Sequence, residues 1–498
     1  MVQSIEASLA QLLGYTSQQS AEASAAELLA LVQQFNAAGG VLPFGRSATK
    51  VVTHPAASAL RQAQADYVLG GPDINAAIAA AGAGKVELTE GDFDIASPVL
   101  GAATTTLKGQ GWATVLTAIA NLNDYMIHGS AVADFFVSAM KLDGNKANQS
   151  SPANKYVVFL DNCDRARVED LWVADACHMA VRVDNGSDEA RVERNRITGA
   201  TSDGIKVIGS SGVHIIRNYV EAADDAIALT ASNSDVLGGL IQRNTVKGAR
   251  GIKLNVVDNT SGYIYDVEIS GNRVFDVTNT YSIVLLVTTA TGATGKIIGT
   301  TIMANRIYNT KSTGIQTFEN VEILNVIANI IRGHNGDNAG GISLSGVTDG
   351  LVELNQIYDI GIYQAINVGY YTGTTGPCAD VRVAHNLVDS PGTAKGINIA
   401  NGAVDTDIGP NTLKNVTTPI SDAGTRTRRA ARKENSGTSS GTGAQQTIAH
   451  GLAETPTRVY LSNIENGANP YQSAAADATN IYVTAVNTLD YVWRAEVV

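Results

Sequence analysis

The residues best suited to chemistry are three aspartates near the middle of the chain. Asp203 stands in the segment TSDGIKV, and Asp224 and Asp225 stand in the segment ADDAIAL that follows it. Carboxylates held close together cannot all ionise at their ordinary pKa, because like charges repel. One can then donate a proton while another accepts one, and cleavage of a glycosidic bond requires both roles. We therefore predict acid–base catalysis by these aspartates, with turn capping as the alternative.

A second group of residues could bind a substrate beside the aspartates. When the internal repeats of the chain are aligned, one outer stripe collects cations, an imidazole and a phenol. We predict that these residues bind substrate: His178, Arg182, Lys206, Arg250, Lys253 and Tyr281. Guanidinium and ammonium groups would bind a substrate carboxylate, and a tyrosine ring could stack on a sugar.

The element that positions this stripe is an internal repeat. Asparagine followed two residues later by an aliphatic residue recurs at intervals of 23 to 33 residues, at Asn195, Asn218, Asn244, Asn272, Asn305, Asn329, Asn355, Asn386 and Asn411. A small residue followed by Ile or Val recurs out of phase with it, at Ala180, Gly204, Ala226, Gly251, Ser282, Gly314, Gly341, Ala365 and Gly396. Each repeat thus contains two patterns, and each pattern lies within a segment of alternating apolar residues. This indicates two strands per repeat.

So short a repeat leaves no room for the crossover helix of a βαβ unit. A coil that closes once per repeat and stacks in parallel on the next coil accounts for both patterns. The asparagines can stack inside a turn, where each amide satisfies backbone groups that the bend leaves unpaired. Residues one repeat apart then become neighbours about 4.8 Å apart. This geometry would bring Asp203, Asp224 and Asp225 onto one outer wall.

Composition divides the chain into four parts. Residues 1–62 contain two apolar helical stripes within residues 3–36, which we predict to cap the chain itself or to form a bundle with symmetry mates. Residues 63–424 form the predicted β-helix. Residues 425–446 are polar, locally basic and rich in Gly and Ser, which favours a linker or an exposed crossing between subunits. Residues 447–498 alternate apolar positions and predict a small β-sandwich.

Two segments resemble known families in their fold. The first resembles the opening of pectate-lyase-like β-helices, in which a helix covers the end of the coil. Here a predicted helix precedes the motifs V-x-L and G-x-G-W, in the segments DINAAIAAAGAGKVELTEGDFDI and TTTLKGQGWATVL. TIAHGLAETPTRVYL resembles the start of C-terminal modules on phage tail-fibre and tailspike proteins, which trimerise the spike or bind glycan. The resemblance implies an all-β chain: a right-handed single-stranded parallel β-helix with an N-terminal helical segment and a small C-terminal β-sandwich, assembled as a homotrimer.

The aspartate segments resemble the motifs of the polygalacturonase-type glycoside hydrolases of family 28. By this resemblance Asp224 would be the general acid, and Asp203 and Asp225 would hold the attacking water. Arg250 and Lys253, in ARGIKL, resemble the family's Arg-x-Lys with a different spacing and would bind a substrate carboxylate. The chain departs from the family pattern in two places: an Asn is replaced by Thr201, and Gly-His-Gly by the residues 248–250.

The composition also bears on partners. The net charge of −12 argues against nucleic acid, whose binding needs clustered Lys and Arg. We expect no membrane span, because no apolar run is long enough, and no secretory signal. These expectations suit a virion tail protein that acts outside the cell and attaches to a phage tail or baseplate through its N-terminus. We predict no cofactor and no metal, although calcium could bind near Asp175, Asp184 and Asp188.

We therefore predict a tailspike-like polysaccharide depolymerase that cleaves a host capsule, O-antigen or exopolysaccharide internally by glycoside hydrolysis. Two alternatives remain open. A polysaccharide lyase would act by β-elimination on a uronate-containing glycan, using His178, Lys206, Arg250 and Lys253. A non-catalytic receptor-binding fibre or adhesin would use the aspartates only as turn caps.

Overall fold

The computed structural model describes residues 49–55, 62–63, 65–68, 71–150, 155–257, 262–288, 294–334, 340–361, 363–369, 376–429, 434–449, 455–463, 469–477, 479–486 and 490–496. The predicted helical stripes within residues 3–36 lie outside these ranges. Among the described residues, no helix is both long enough and apolar enough to cross a bilayer.

Most of the described residues from 49 to 429 lie in short parallel strands. The first are Thr49–Thr53, Tyr67–Val68, Lys85–Leu88, Gly91–Ile95, Val99–Leu100, Thr106–Lys108, Thr114–Ala118, Ile127–Ser130, Phe136–Ser138, Lys141–Asp143, Tyr156–Asp161, Arg167–Glu169 and Trp172–Ala174. The next are Met179–Asp184, Arg191–Glu193, Arg196–Ala200, Ile205–Ile208, Val213–Ile216, Tyr219–Ala231, Val236–Gln242, Thr245–Val256, Ile264–Ser270, Arg273–Val277, Tyr281–Val287, Ile297–Ile298 and Thr301–Met303. The last are Arg306–Thr310, Thr313–Phe318, Val321–Ile327, Ile330–His334, Ile342–Leu344, Val347–Glu353, Gln356–Ile360, Gln364–Val368, Ala379–Ala384, Leu387–Ile399, Asp407–Ile408, Thr412–Asp422 and Arg428–Arg429.

These strands wind into a right-handed parallel β-helix, so the predicted fold class is confirmed. One sheet has 17 strands. A second has 22 strands in two columns, which join where single strands such as Tyr219–Ala231 run through both. The coil therefore has three faces, and each face sends one column of aliphatic side chains into the core. On the face that carries the aspartates, Val181, Ile205, Ile227 and Ile252 lie in register and are fully buried.

The repeating asparagines form a continuous ladder inside one corner of the coil. The backbone N–H of Asn272 donates to Oδ1 of Asn305 over 2.9 Å, and its side-chain Nδ2 donates to the same oxygen over 3.0 Å. Nδ2 also donates to the carbonyl of Ile241 in the preceding rung, over 2.8 Å. The same pattern links the rungs from Asn195 to Asn411. Each amide thus satisfies backbone groups that the corner takes out of the sheets.

The N-terminal end of the coil is closed by one helix, Gly71–Ala81. Its apolar face buries Ile74, Ala77 and Ile78 in the same core as the strands. The helix lies where the sequence predicts a cover, and it removes an open sheet end that would otherwise invite edge pairing. The coil itself begins before residue 63, because Thr49–Thr53 already pairs in parallel with Tyr67–Val68.

The C-terminal part is a sandwich of two antiparallel three-stranded sheets. Its strands are Glu434–Ser440, Gln445–Ala449, Arg458–Asn463, Tyr471–Ala474, Asn480–Thr484 and Asp490–Glu496. Ile481 and Val483 from one sheet pack with Tyr491 and Trp493 from the other.

The prediction of a linker over residues 425–446 is wrong at both ends. Arg428–Arg429 still pairs with Asp407–Ile408 of the coil. Glu434–Ser440 pairs along its length with Asp490–Glu496, and Gln445–Ala449 pairs with Asn480–Thr484. Backbone hydrogen bonds hold these polar strands, so their Ser and Thr composition does not reveal them.

The ladder predicts a specific loss of stability. Asn305→Ala leaves the buried N–H of Asn272 without its acceptor, so we expect the variant to lose about 2 kcal/mol of stability. The midpoint of guanidinium unfolding should fall, and hydrogen exchange at the Asn272 amide should accelerate. Asn325→Ala, which removes a partly exposed amide from the same coil, is the control and should change neither quantity appreciably. Equal midpoints for the two variants would contradict a structural role for the ladder.

Candidate active site

The structure brings the three predicted catalytic aspartates together on the outside of adjacent rungs. One carboxylate oxygen from each of Asp203, Asp224 and Asp225 lies within 4.8 Å of the others. Ile205 stacks on Ile227 inside the coil. Because Asp203 and Asp225 each stand two residues before these isoleucines, the same register aligns the two aspartates on the outside. The vertical alignment inferred from the repeats is thus present.

A β-bulge explains how two consecutive aspartates reach the same side. Regular strands point neighbouring side chains to opposite faces. Between Ala222 and Asp225 the register shifts relative to Gly248 and Arg250, so one extra residue is inserted in the first strand. Such bulges re-aim side chains and are frequent beside active sites. Here the bulge lets Asp224 join Asp225 on the outer wall.

Three cations, Lys206 from the rung of Asp203 and Arg250 and Lys253 from the rung after Asp225, face the three carboxylates. Lys206 Nζ lies 3.1 Å from Asp203 Oδ2, and Lys253 Nζ lies 3.4 Å from Asp225 Oδ2. Arg250 Nη1 lies 2.5 Å from Asp224 Oδ1 and 3.8 Å from Asp225 Oδ1. We call these six residues the ionic cluster. With all groups charged its net charge is zero, so the cations make three aspartates tolerable in so small a space.

The three carboxylates have unequal environments. The side chain of Asp224 is 42% exposed, whereas those of Asp203 and Asp225 are 4% and 3% exposed. Burial raises the pKa of Asp225, the charge of Lys253 opposes this rise, and the charge of Asp203 adds to it. Asp225 Oδ1 is buried and has no hydrogen-bond partner within the described part of the chain. A buried carboxylate oxygen is costly to leave unpaired, so this atom is suited to hold a water or a substrate hydroxyl.

His178 lies beside the ionic cluster on the N-terminal side. Burial lowers its pKa, and the charges of Arg182 and Lys206 lower it further while Asp203 opposes them. Its ring is therefore neutral near pH 7. Its Nδ1 is buried and has no hydrogen-bond partner among the residues that the structure describes. His178 can thus donate to or accept from a ligand without losing a bond that the fold needs.

Arg182 and Tyr281 have other contacts than the predicted ones. Arg182 Nε donates to Asp184 Oδ2 over 2.9 Å, and its guanidinium lies over the ring of Tyr156 at 4.8 Å. Tyr281 is 9% exposed, and its ring centre lies 5.9 Å from the Arg250 guanidinium. Little of the ring is exposed in this structure, where Tyr281 supports Arg250, and its stacking on a sugar stays a prediction.

An aromatic cluster next to the site was not predicted. The rings of Tyr125, His128, Tyr156 and Phe159 pack together on the same face, with centroid separations such as 5.1 Å between His128 and Phe159. His128, Phe159 and Arg182 occupy successive rungs of one outward column. The same alignment, continued one or two rungs toward the N-terminus, would have found them.

The residues named for calcium do not converge on one point. Asp175 pairs with Lys146, Asp184 with Arg182, and Asp188 Oδ1 accepts the N–H of Ser211 over 2.6 Å. Within the described residues, the three catalytic candidates are the one group of acidic, His or Cys side chains close enough to share an ion. An ion there would have to displace the three cations of the ionic cluster, so the residues present fit a metal poorly.

Comparisons with known proteins agree with the fold. Residues 156–297, which include the whole ionic cluster, match a family model described as a right handed beta helix region. A mutant tailspike protein of E. coli bacteriophage HK620, solved with a hexasaccharide, is 11% identical over 87% of this chain and 92% of that chain, with a TM-score of 0.53. An exopolygalacturonase from Thermotoga maritima is 11% identical over 69% of this chain and 88% of that chain, with a TM-score of 0.50. A family 28 exopolygalacturonase from Yersinia enterocolitica is 10% identical over 77% of this chain and 79% of that chain, also with a TM-score of 0.50. No curated protein sequence matches the chain significantly. At these identities the likeness establishes a shared fold.

The buried ion pair of Asp225 predicts a pH-dependent loss of stability. Lys253→Met removes the main opposing charge, so we expect a cost of about 3 kcal/mol at pH 8. The folded-state pKa of Asp225 then rises further above its unfolded value. The added penalty is therefore absent at low pH, where Asp225 is protonated in both folded proteins. It grows as the pH rises above the wild-type folded pKa and is complete above the higher folded pKa of the variant. Urea unfolding should show a larger difference from wild type at pH 8 than at pH 5.

The matched control is Lys296→Met, because Lys296 forms a much more exposed pair with Glu322. Exposed pairs contribute little, so its cost should stay below about 1 kcal/mol at both pH values. A Lys253→Met penalty that is independent of pH would show that Asp225 is not the group that responds.

Proposed function

We propose that the protein is a tailspike-like polysaccharide depolymerase that hydrolyses glycosidic bonds within a host surface glycan at the ionic cluster. One observation carries this proposal: three carboxylates in unequal environments meet on the outer wall of the coil. Glycoside hydrolysis needs a proton donor to the leaving oxygen and a base for water. Paired titratable groups whose environments differ are the usual sign of this division.

The base is Asp225, assisted by Asp203. A raised pKa makes a carboxylate a stronger base at neutral pH. Asp225 Oδ1 is free to bind a water, and the N–H of Asp225 donates to Asp203 Oδ1 over 3.3 Å, which fixes the two carboxylates relative to each other. The attacking water would lie between them. Lys206 and Lys253 keep both carboxylates oriented and limit their mutual repulsion.

The acid is Asp224, because it is the carboxyl that solvent and substrate can reach. In the structure Arg250 pairs with Asp224. A substrate carboxylate would draw Arg250 away and leave Asp224 facing the glycosidic oxygen. The ring of Tyr281, 5.9 Å from the guanidinium, would stay beside Arg250 during that exchange. The proton then passes from Asp224 to the glycosidic oxygen as the bond to the anomeric carbon breaks.

The structural likeness to tailspikes supports a proposal for the assembly and location of the protein. Structures of the HK620 tailspike are described as complexes with a hexasaccharide and a pentasaccharide. By analogy we propose a homotrimer on a virion tail, with the N-terminal segment as the attachment to the tail or baseplate. The C-terminal sandwich carries exposed Tyr460, Tyr471 and Val492, which suit a trimer contact or a glycan-binding surface.

Substitution of the aspartates tests the catalytic assignment. Asp224→Asn and Asp225→Asn keep the shape of the site but remove the acid or the base, so each should lower kcat by a factor of roughly 10² to 10⁴. Release of reducing ends is measured on a panel of capsules, O-antigens and exopolysaccharides. Asp359→Asn, an exposed aspartate elsewhere on the coil, should match wild type. Full activity in either site variant would remove it from the catalytic machinery.

The second candidate function is β-elimination by a lyase, which the neutral ring of His178 favours. A lyase would use His178 as the base on a uronate held by Arg250, and its product would carry an unsaturated sugar that absorbs in the ultraviolet. The proposed hydrolase yields no such absorbance. His178→Gln should therefore change substrate affinity more than kcat, whereas a lyase would lose its turnover.

The pH profile tests the role of Asp225. The acidic limb of kcat/KM should lie above the pKa of about 3.9 that an ordinary Asp has, because burial raises the pKa of Asp225. Removal of a nearby cation raises it further, so Lys253→Met should move this limb to higher pH. Lys296→Met should leave it in place. A limb that moves to lower pH in Lys253→Met would identify another group as the base.

A further inference from the structure

Aromatic rings and an arginine meet on the face of the coil next to the one that carries the ionic cluster. Trp172, Arg196 and Tyr219 are vertical neighbours on successive rungs. Each directly precedes a fully buried core residue, so its side chain points outward. Trp112 lies on an earlier rung, and its ring centre is 5.3 Å from that of Trp172. We call these four residues the tryptophan patch.

The patch is open to solvent. Trp112 is 53% exposed, and Arg196 is also exposed. The turn that carries Trp112 is nevertheless fixed by hydrogen bonds. The N–H of Gln110 donates to Thr114 Oγ1 over 2.9 Å, and this hydroxyl donates to the carbonyl of Thr89 over 2.8 Å. A large apolar ring is thus held in place with more than half of its surface available for a ligand.

The guanidinium of Arg196 is held between two rings. It lies 5.8 Å from the ring centre of Trp172 and 5.2 Å from that of Tyr219, on the rungs before and after it. Arg191 in the same rung pairs with Glu193 over 3.7 Å, whereas no carboxylate of the described residues pairs with Arg196. Stacking uses the faces of the guanidinium plane, so the N–H donors at its edge remain available to an anion.

The same arrangement recurs farther along the column. Arg273 lies three rungs beyond Arg196, about 14 Å away. Its guanidinium lies 5.1 Å from the ring centre of Phe275 and 6.0 Å from that of Tyr308. Arg273 is exposed, and within the described part of the chain it too has no carboxylate partner. Repetition of a stacked, unpaired arginine along one face suits an extended ligand that carries several negative charges.

These residues are suited to an acidic sugar. The apolar face of a sugar ring can pack on an indole, and a guanidinium binds a carboxylate through two parallel hydrogen bonds. The chain as a whole has a net charge of −12, which repels an anionic polymer. Stacked arginines without carboxylate partners give such a polymer a local point of attraction.

A second copy of the chain is a poorer occupant of this face. Exposed aliphatic side chains, which suit a contact between subunits, lie on the 17-stranded sheet, at Leu237, Met303 and Ile323. Burial of Arg196 against another subunit would leave a charge without a counter-ion, which is costly. An anionic ligand supplies that counter-ion, so charge complementarity favours the acidic glycan.

We propose that the tryptophan patch is a second, non-catalytic site that binds an acidic sugar of the polysaccharide, with the sugar ring on Trp112 and its carboxylate on Arg196. The proposal rests on the proposed function, because it takes the bound polymer to be the one cleaved at the ionic cluster. Tyr219 and Asp225 belong to the same strand, Tyr219–Ala231, so the two sites are at most about 20 Å apart. A long chain can occupy both sites, which raises its effective affinity, whereas a short fragment occupies one.

Binding to intact polymers is the first test, in an Asp224→Asn background that suppresses cleavage. The probes are immobilised capsules, O-antigens and exopolysaccharides, each in its native form and after chemical reduction of its carboxyl groups. Trp112→Ala and Arg196→Gln should each weaken binding of the native acidic polymer roughly tenfold. On the reduced polymer Arg196→Gln should have no effect, whereas Trp112→Ala should still weaken binding because the sugar ring is unchanged.

The controls are exposed residues of the 17-stranded sheet. Leu237→Ala removes an exposed apolar side chain, and Arg382→Gln removes an exposed guanidinium 3.9 Å from Asp407. Both should bind like the wild type. Unchanged affinity for the native polymer in Trp112→Ala and Arg196→Gln would overturn the proposal. A wild type that binds only neutral polysaccharides would overturn it as well.

Turnover separates this site from the catalytic one. On the active background, both patch variants should raise KM for the polymer roughly tenfold while kcat changes less than about twofold, because the patch does not contact the cleaved bond. Cleavage of the shortest oligosaccharide substrate should stay at the wild-type rate. A loss of kcat on short substrates would contradict a separate site. A change of oligomeric mass in light scattering would identify the patch as a subunit contact and overturn the proposal.

Failure of the proposed function gives a different pattern. If the wild type cleaves no glycan, binding to the immobilised polymers decides alone. Binding that both patch variants lose and both controls keep would support the patch and reject cleavage. Equal binding by all the variants, or no binding by the wild type, would reject the patch.

Discussion

The structure depends on a fixed register between stacked parallel coils. A slip of one residue would turn every core side chain outward, and the asparagine ladder opposes such a slip by linking each rung to the next through both its backbone and its side chain. Each of these amides is fully committed to two neighbouring rungs. The register is therefore set at a corner of the coil, away from the outer faces, and those faces are free to vary in sequence. A regular core and an irregular outer surface can coexist only because the register does not depend on the outer residues.

Fixed register explains why an ionic cluster can form without a dedicated loop. Residues that are one repeat apart in sequence become vertical neighbours, so a carboxylate on one rung meets a cation on the next. Lys253 neutralises Asp225 in this way, and Arg250 does the same for Asp224. A local irregularity, the bulge before Asp225, adds one residue and thereby a third carboxylate. Charge balance between rungs and one local insertion are sufficient to build a site with unequal carboxyl groups on a regular scaffold.

Much of the fold and of the ionic cluster could be predicted from the sequence, because each repeat contains two recurring patterns. The asparagines locate one corner and the small residues before Ile locate the start of one face, so counting from them aligns Asp203 with Asp225 correctly. What escaped prediction depends on packing across rungs. Periodicity does not reveal that Asp225 is buried while Asp224 is open, or that the ring of Tyr281 is covered. The strand Glu434–Ser440 was missed for another reason: its polar residues are held by backbone pairing, and no apolar alternation marks it.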